Sequence, residues 1–334
     1  MVELNVLDYA MIDEGKNAEQ ALHDTIRLAQ LADRLRFKRF WITEHHNVPA
    51  FACSSPELLM MHILGKTSHI KVGSGGIMLP HYSPYKVAEN FRMLEAFYPG
   101  RVDLGIGNNP GTPAVKRAMD EDKSEYLDYQ QSIVDLRHYL TNQQSEQRFS
   151  NVMAQPNISH HPDMWLLSIS QRSAKMAAQQ GMGFAVGTFL LPDTDSIRAT
   201  QHSIAAYRQH FEITSLQMSP SVMLTVFVIV TDTEKEATRL LQALDVWLLG
   251  KRYFAEFERF PSYETALQYQ PTARDKARMQ ASHSKILAGT ITQVTPKLDA
   301  MIQDFQADEV LVVPLLPNIE NRCRTLELLA QAYL

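Results

Sequence analysis

The sequence predicts an α/β fold, a closed (β/α)₈ (TIM) barrel with a helical insertion before its last strand. Short β-rich runs alternate with longer stretches of helical period, the order that builds parallel βαβ units. Eight strands can be counted, at Leu4, Phe40, Val72, Val102, Trp165, Phe184, Val226 and Val310. The length of 334 residues suits a barrel of about 250 residues with insertions.

The elements follow in order. Leu4 to Leu7 reads as a strand, and Ala18 to Leu35 has helical period. Arg39 to Thr43 is the second strand, Pro56 to Thr67 a helix, Ile70 to Leu79 the third strand and Tyr85 to Phe97 a helix. Val102 to Ile106 is a strand, followed by a helix near Tyr126 to Leu140 and a strand at Met164 to Ile169. A helix at Ser173 to Gln180, a strand at Phe184 to Val186, a helix at Asp195 to His210 and a strand at Ser221 to Val230 continue the alternation. The surplus lies between Asp232 and Gln293, where Lys251 to Gly289 reads as an insertion and a candidate lid, before the last strand at Glu309 to Val313. No internal repeat appears, so a solenoid or propeller is unsupported, and residues 1–334 are expected to form one domain.

Composition excludes several function classes. The net charge of −5 and the absence of any Lys or Arg run argue against nucleic-acid binding. Cys53 and Cys323 can build neither a disulfide framework nor a cysteine zinc site, which fits a reducing compartment. The N-terminal segment lacks the basic and apolar regions of an export signal, and runs such as Val226 to Val230 fall far short of the ~20 residues of a membrane span. A cytoplasmic protein that works neither on nucleic acid nor in a membrane is expected.

In such barrels chemistry sits in the loops after the strands. Four loops stand out: Trp41 to Asn47, Gly73 to Pro84, Gly105 to Thr112 and Ser168 to Ser173. In the first, Glu44-His45-His46 offers an imidazole that can move a proton near neutral pH and a carboxylate that can fix a tautomer. His45 and His46 are adjacent on an extended segment and point to opposite faces, so a shared metal ion is disfavoured. Gly75-Gly76 ends the third strand, where missing Cβ atoms let backbone approach a planar ligand, with a β-bulge as the plainer reading. Ser170 and Ser173 open a helix, where hydroxyls and free N–H groups make an anion site or a simple N-cap. His81, Tyr82, His160 and His161 are further candidates for the mouth.

Taken together, Glu44 to Asn47 and Gly73 to Pro84 resemble the bacterial luciferase-like flavin monooxygenases, in the subgroup of single-chain alkanal-monooxygenase-like proteins. The likeness is strongest over residues 4 to 112, moderate from Trp165 to Val186, and weaker beyond. It implies a monooxygenase that takes reduced FMN, weakly bound or exchangeable, from a separate flavin reductase and oxidises a small organic molecule with dioxygen. No strand-linked Gly-x-Gly-x-x-Gly marks a nicotinamide domain of the chain's own. The resemblance also implies His45 as the catalytic residue beside the flavin, a cis peptide between Gly75 and Gly76 beneath the ring, a phosphate site at Ser170 and Ser173, and a homodimer. Two positions depart from the family pattern. Asn108 stands where relatives commonly place an arginine for the phosphate, and the usual Gly-Ser-Ser-like turn reads Ser168-Ile169-Ser170. Arg172 is the cation that could substitute. A deazaflavin-dependent oxidoreductase and a flavin-free, non-catalytic partner subunit are the alternatives.

Overall fold

The computed structural model describes every residue except 1, 122, 124–127, 144–147, 150, 192 and 284. Nine parallel strands form its sheet: β1 (Glu3–Asp8), β2 (Arg39–Ile42), β3 (Lys71–Met78), β4 (Val102–Gly107), β5 (Asp163–Leu167), β6 (Gly183–Gly187), β7 (Val222–Thr231), β8 (Ile286–Thr290) and β9 (Glu309–Val313). β1 to β7 pair in sequence, and β9 joins β7 back to β1, so eight of them close a (β/α)₈ barrel. β8 lies outside the ring and pairs only with the second half of β7, from Phe227 to Thr231. The sequence reading places all eight barrel strands and has no strand at Ile286. The helix expected near Tyr126 runs from Tyr129 to Thr141, and Tyr126 itself lies outside the described residues.

Alternation along the strands splits the apolar side chains between two layers. Leu4, Val6, Phe40, Ile42, Leu104 and Leu166 pack outward under the helices. Leu7, Trp41, Trp165, Ala185, Met223 and Leu311 point inward. Trp41 and Trp165 touch at 5.7 Å although β2 and β5 are not neighbours, so they meet across the barrel interior.

Where the strands begin, the interior is closed by charge instead. The Arg39 guanidinium donates to Asp103 Oδ1 at 2.6 Å and to Glu309 Oε2 at 2.8 Å, with Asp163 at 3.2 Å. Trp41 Nε1 donates to the other Asp103 oxygen at 2.8 Å, and Asn5 and Lys38 complete the shell of Glu309. This plug leaves the opposite end, where the strands finish, as the open face.

A separate buried acid sits behind the sheet. Glu95 is fully buried on the helix Pro84–Phe97, and one oxygen accepts from Gly100 N at 2.6 Å while the other has no hydrogen-bond partner among the described residues. Burial pushes its pKa up to about 7 from 4.5. The folded state therefore holds a proton that the unfolded chain releases, so stability falls as pH rises through this window. Glu95→Gln should flatten that decline, raising the melting temperature at pH 8 and hardly changing it at pH 5. Equal shifts at both pH values would exclude this assignment.

Candidate functional site

The loop after β2 carries its chemistry on alternate residues. Thr43 Oγ1 lies 3.0 Å from His45 Nδ1, and Glu44 Oε1 lies 2.8 Å from His46 Nε2, because residues two apart on extended backbone share a face. The carboxylate therefore orients His46, not His45. Glu44 also accepts from Tyr82 Oη at 2.6 Å and, through its other oxygen, from Met78 N at 2.9 Å. A wholly buried side chain thus ties the loop after β2 to the end of β3. Burial and the adjacent Glu44 push the Tyr82 phenol well above its usual range.

His45 is half-buried. Its ring stacks on Tyr9 at 5.1 Å and meets Phe51 at 4.9 Å. The loops after β1 and β2 are joined by an antiparallel bridge between Met11 and Phe51 and by Ala52 N to Ala10 O at 2.9 Å, which brings Tyr9 and Phe51 to the histidine. Burial, then the neighbouring His46, lowers the His45 pKa to about 4. The imidazole is neutral at physiological pH.

The peptide between Gly75 and Gly76 is cis. The β3–β4 register shifts at the same place, Ser74 facing Leu104 and Ile77 facing Ile106, so a bulge and the cis bond coincide. Both glycines are half-buried within a strand whose flanking residues are buried. Their missing side chains have a packing reason. A Cβ on Gly75 would lie 2.5 Å from Leu7 Cδ1, and one on Gly76 would lie 2.8 Å from Gly105 O. Contact with the barrel interior and with β4 is therefore a reason for glycine at both positions within the chain itself.

After β5, Ser170 caps the helix Gln171–Gln179, accepting from Ser173 N at 3.2 Å and lying 3.0 Å from Ser173 Oγ. Ser168 Oγ accepts from Ser170 N at 3.2 Å. Arg172 is exposed on the first turn and makes no ion pair or hydrogen bond among the described residues. Asn108 is exposed just past β4, the strand next to β5, so the two loops adjoin. His45, Gly75-Gly76, Asn108 and the Ser170 corner therefore all stand at the end where strands finish. His81 is buried and its Nε2 lies 3.0 Å from Pro110 O, pinning the loop after β4. His160 and His161 directly precede β5 and belong to the opposite end, which removes them from the mouth.

The sequence profile of the luciferase-like monooxygenases matches residues 2–308. The chain belongs to this family. It is an oxidoreductase built on the luciferase-like barrel. Among relatives, it is 39% identical to the uncharacterized protein YwcH of Bacillus subtilis, over 100% of this chain and 99% of the other. It is 28% identical to the N-acetyl-S-alkylcysteine monooxygenase of the same organism, over 100% and 99%. Among solved structures it is similar to apo-MsnO8, at 32% identity and a TM-score of 0.86, covering 100% of this chain and 98% of that one. The fold also matches the oxygenating constituent of 3,6-diketocamphane monooxygenase from Pseudomonas putida, solved with FMN, at 17% identity and a TM-score of 0.72, covering 99% and 98%.

In this luciferase-like chain, sequence reasoning missed three features of the site: the hub formed by Glu44, the role of Tyr82 as its donor, and the aromatic side chains around His45. Spacing of two residues between Thr43 and His45 and between Glu44 and His46 carried the signal for the first.

Proposed function

We propose that the protein is a flavin-dependent monooxygenase that uses reduced FMN, delivered by a separate flavin reductase, and dioxygen to oxidise a small organic molecule. The observation that carries this reading is the half-buried Gly75-Gly76 ledge near the end of β3, tied through Glu44 and Met78 N to the loop that presents His45. The residues present fit FMN. Gly75-Gly76 would lie beneath the ring, His45 beside it, and the Ser170 and Ser173 hydroxyls, the free helix N-terminus and Arg172 would take the phosphate. Bound reduced FMN supplies the two electrons with which one oxygen atom enters the product and the other leaves as water.

The chain's own residues provide position and proton control. Thr43 fixes the Nδ1 side of His45, which leaves Nε2 to take or give a proton. Tyr9 and Phe51 cover the imidazole on the side of β1 and limit water there. Anaerobic titration with reduced FMN, followed by tryptophan fluorescence, tests the reading. Saturable binding in the micromolar range is expected, and no binding at high micromolar flavin would overturn it in favour of a flavin-free barrel.

The phosphate corner gives a sharper expectation. With Arg172 unpaired among the described residues, Arg172→Ala should weaken FMN by roughly 10- to 100-fold, the worth of a charge-assisted hydrogen bond, and leave riboflavin nearly unchanged. Asn108→Arg should then add little. If neither variant alters the preference for FMN over riboflavin, the phosphate binds elsewhere.

The protein is further proposed to work as a cytoplasmic homodimer of single barrel domains. No helix among the described residues is long and apolar enough to cross a membrane. Leu58, Met93 and Phe97 are exposed at 73%, 48% and 64% on the neighbouring helices Pro56–Leu64 and Pro84–Phe97, an apolar face suited to a second copy. Leu58→Asp with Phe97→Asp should halve the mass seen in sedimentation. A monomeric native protein would refute the pairing.

A further inference from the structure

Tyr9 directly follows β1 and carries a phenol that makes no hydrogen bond among the described residues, although its ring is held against His45 and lies 5.2 Å from Phe51. The aromatic contacts continue from Phe51 to Trp247 at 5.4 Å, and from Trp247 to Phe254 at 5.4 Å. Tyr9, Phe51, Leu167 and Phe189 are only partly buried where they pack on the inward-facing cluster. Loops after β1, β2, β5 and β6 thus leave apolar surface accessible around one mouth. β2 lies between β1 and β3, so the aromatic wall stands on one side of His45 and the Gly75-Gly76 ledge on the other.

The charge state of this wall is equally defined. Burial raises the Tyr9 phenol above its usual range, and Tyr9 makes no hydrogen bond to a charged side chain among the described residues. His45 beside it is neutral as well. A carboxylate placed here would lose its water without gaining a cation, whereas a neutral acceptor would satisfy an O–H that the protein leaves unpaired. Ring-bearing molecules gain further from offset or edge contact with Tyr9 and Phe51, the latter backed by the buried Trp247.

We propose that the substrate is an uncharged, ring-bearing apolar molecule that lies against the Tyr9–Phe51 wall and offers a hydrogen-bond-accepting oxygen to Tyr9 Oη. That this ligand is the molecule oxidised at His45 rests on the flavin reading above, but its binding does not require flavin. Tyr9 is accordingly a specificity-determining residue, acting by hydrogen bond, and Phe51 supplies apolar contact area.

Calorimetric titration of the full chain without flavin, at pH 8, tests this with three probes: 2-acetylnaphthalene, 2-ethylnaphthalene and 2-naphthoate. The ketone should bind roughly 3- to 10-fold more tightly than the hydrocarbon, the worth of one net hydrogen bond, and at least ~10-fold more tightly than the carboxylate. Tyr9→Phe, which keeps the ring stacked on His45, should abolish the ketone's advantage and leave the hydrocarbon unchanged. Phe51→Ala should weaken both. Naphthoate binding as tightly as the ketone, an advantage that survives in Tyr9→Phe, or no binding of any probe would overturn the proposal. So would a loss of reduced-FMN affinity in Tyr9→Phe with ketone binding intact, since the phenol would then serve the cofactor. Failure of the flavin reading shows separately, as native protein that binds the ketone but not reduced FMN.

Discussion

His45→Ala should lower the yield of oxygenated product per reduced FMN by ~10²-fold or more, the usual contribution of a positioned proton-transfer group, while the fold survives. The variant is to be assayed with a substrate found by the binding titration above. His46→Ala should cost much less, because His46 bonds the buried Glu44 and not the mouth. Equal losses in the two variants would show that the loop's shape matters and the His45 imidazole does not. A second signature is thermodynamic. The buried ring resists a proton until about pH 4, whereas the unfolded chain accepts one near 6.5. Stability should therefore fall as pH drops from about 6.5 to about 4, and His45→Ala should remove that part of the slope. It is opposite in sign to the Glu95 effect over an overlapping window, so the two partly cancel in the native protein. Denaturation series from pH 4 to pH 8 on His45→Ala and Glu95→Gln separate them.

Arg39→Ala should cost about 3–5 kcal/mol of stability in denaturant unfolding, the range for a buried ion cluster deprived of one partner. Burial works against the ionised form of Glu309, and Arg39 with Lys38 overcomes it, holding that carboxyl below its usual range. At Asp103 burial outweighs the attraction of Arg39 and raises the carboxyl. Removing the guanidinium leaves both acids in the interior with one fewer cation. Native stability from Glu309 is present above its unfolded pKa and is lost as pH falls through the lower folded value. The penalty of Arg39→Ala should accordingly shrink in acid. Arg39→Met combined with Asp103→Asn and Glu309→Gln should recover most of the loss, since a neutral interior needs no counter-ion. A loss below ~1 kcal/mol in the single variant would mean that water reaches the plug.

Much of the fold was legible because a parallel barrel writes itself as regular alternation. All eight closing strands, from Leu4 to Val310, stand where β-rich runs separate helical stretches. β8 was not legible, since Ile286–Thr290 is short, carries Gly289 and pairs only with the overhanging part of β7. Nor was the plug. Arg39, Asp103 and Glu309 begin their strands and look like solvated ends, and only their parity with Trp41, Gly105 and Leu311 turns them inward. At the site, the reading singled out His45 and Gly75-Gly76 and took His46 with Glu44 as loop-holding residues, and the 2.8 Å contact between those two follows from the alternation of an extended chain. The aromatic wall was out of reach, because Tyr9, Phe51 and Trp247 are brought together from distant parts of the chain.

The most direct test of the central claim is a single-turnover oxidation. Protein and reduced FMN are mixed without oxygen, air-saturated buffer is added, and the recovery of oxidised-flavin absorbance is followed beside free FMN. The account predicts a recovery clearly slower than that of the free flavin, with the delay altered in His45→Ala. A trace indistinguishable from free reduced FMN, at a protein concentration that should bind all of it, would contradict the account.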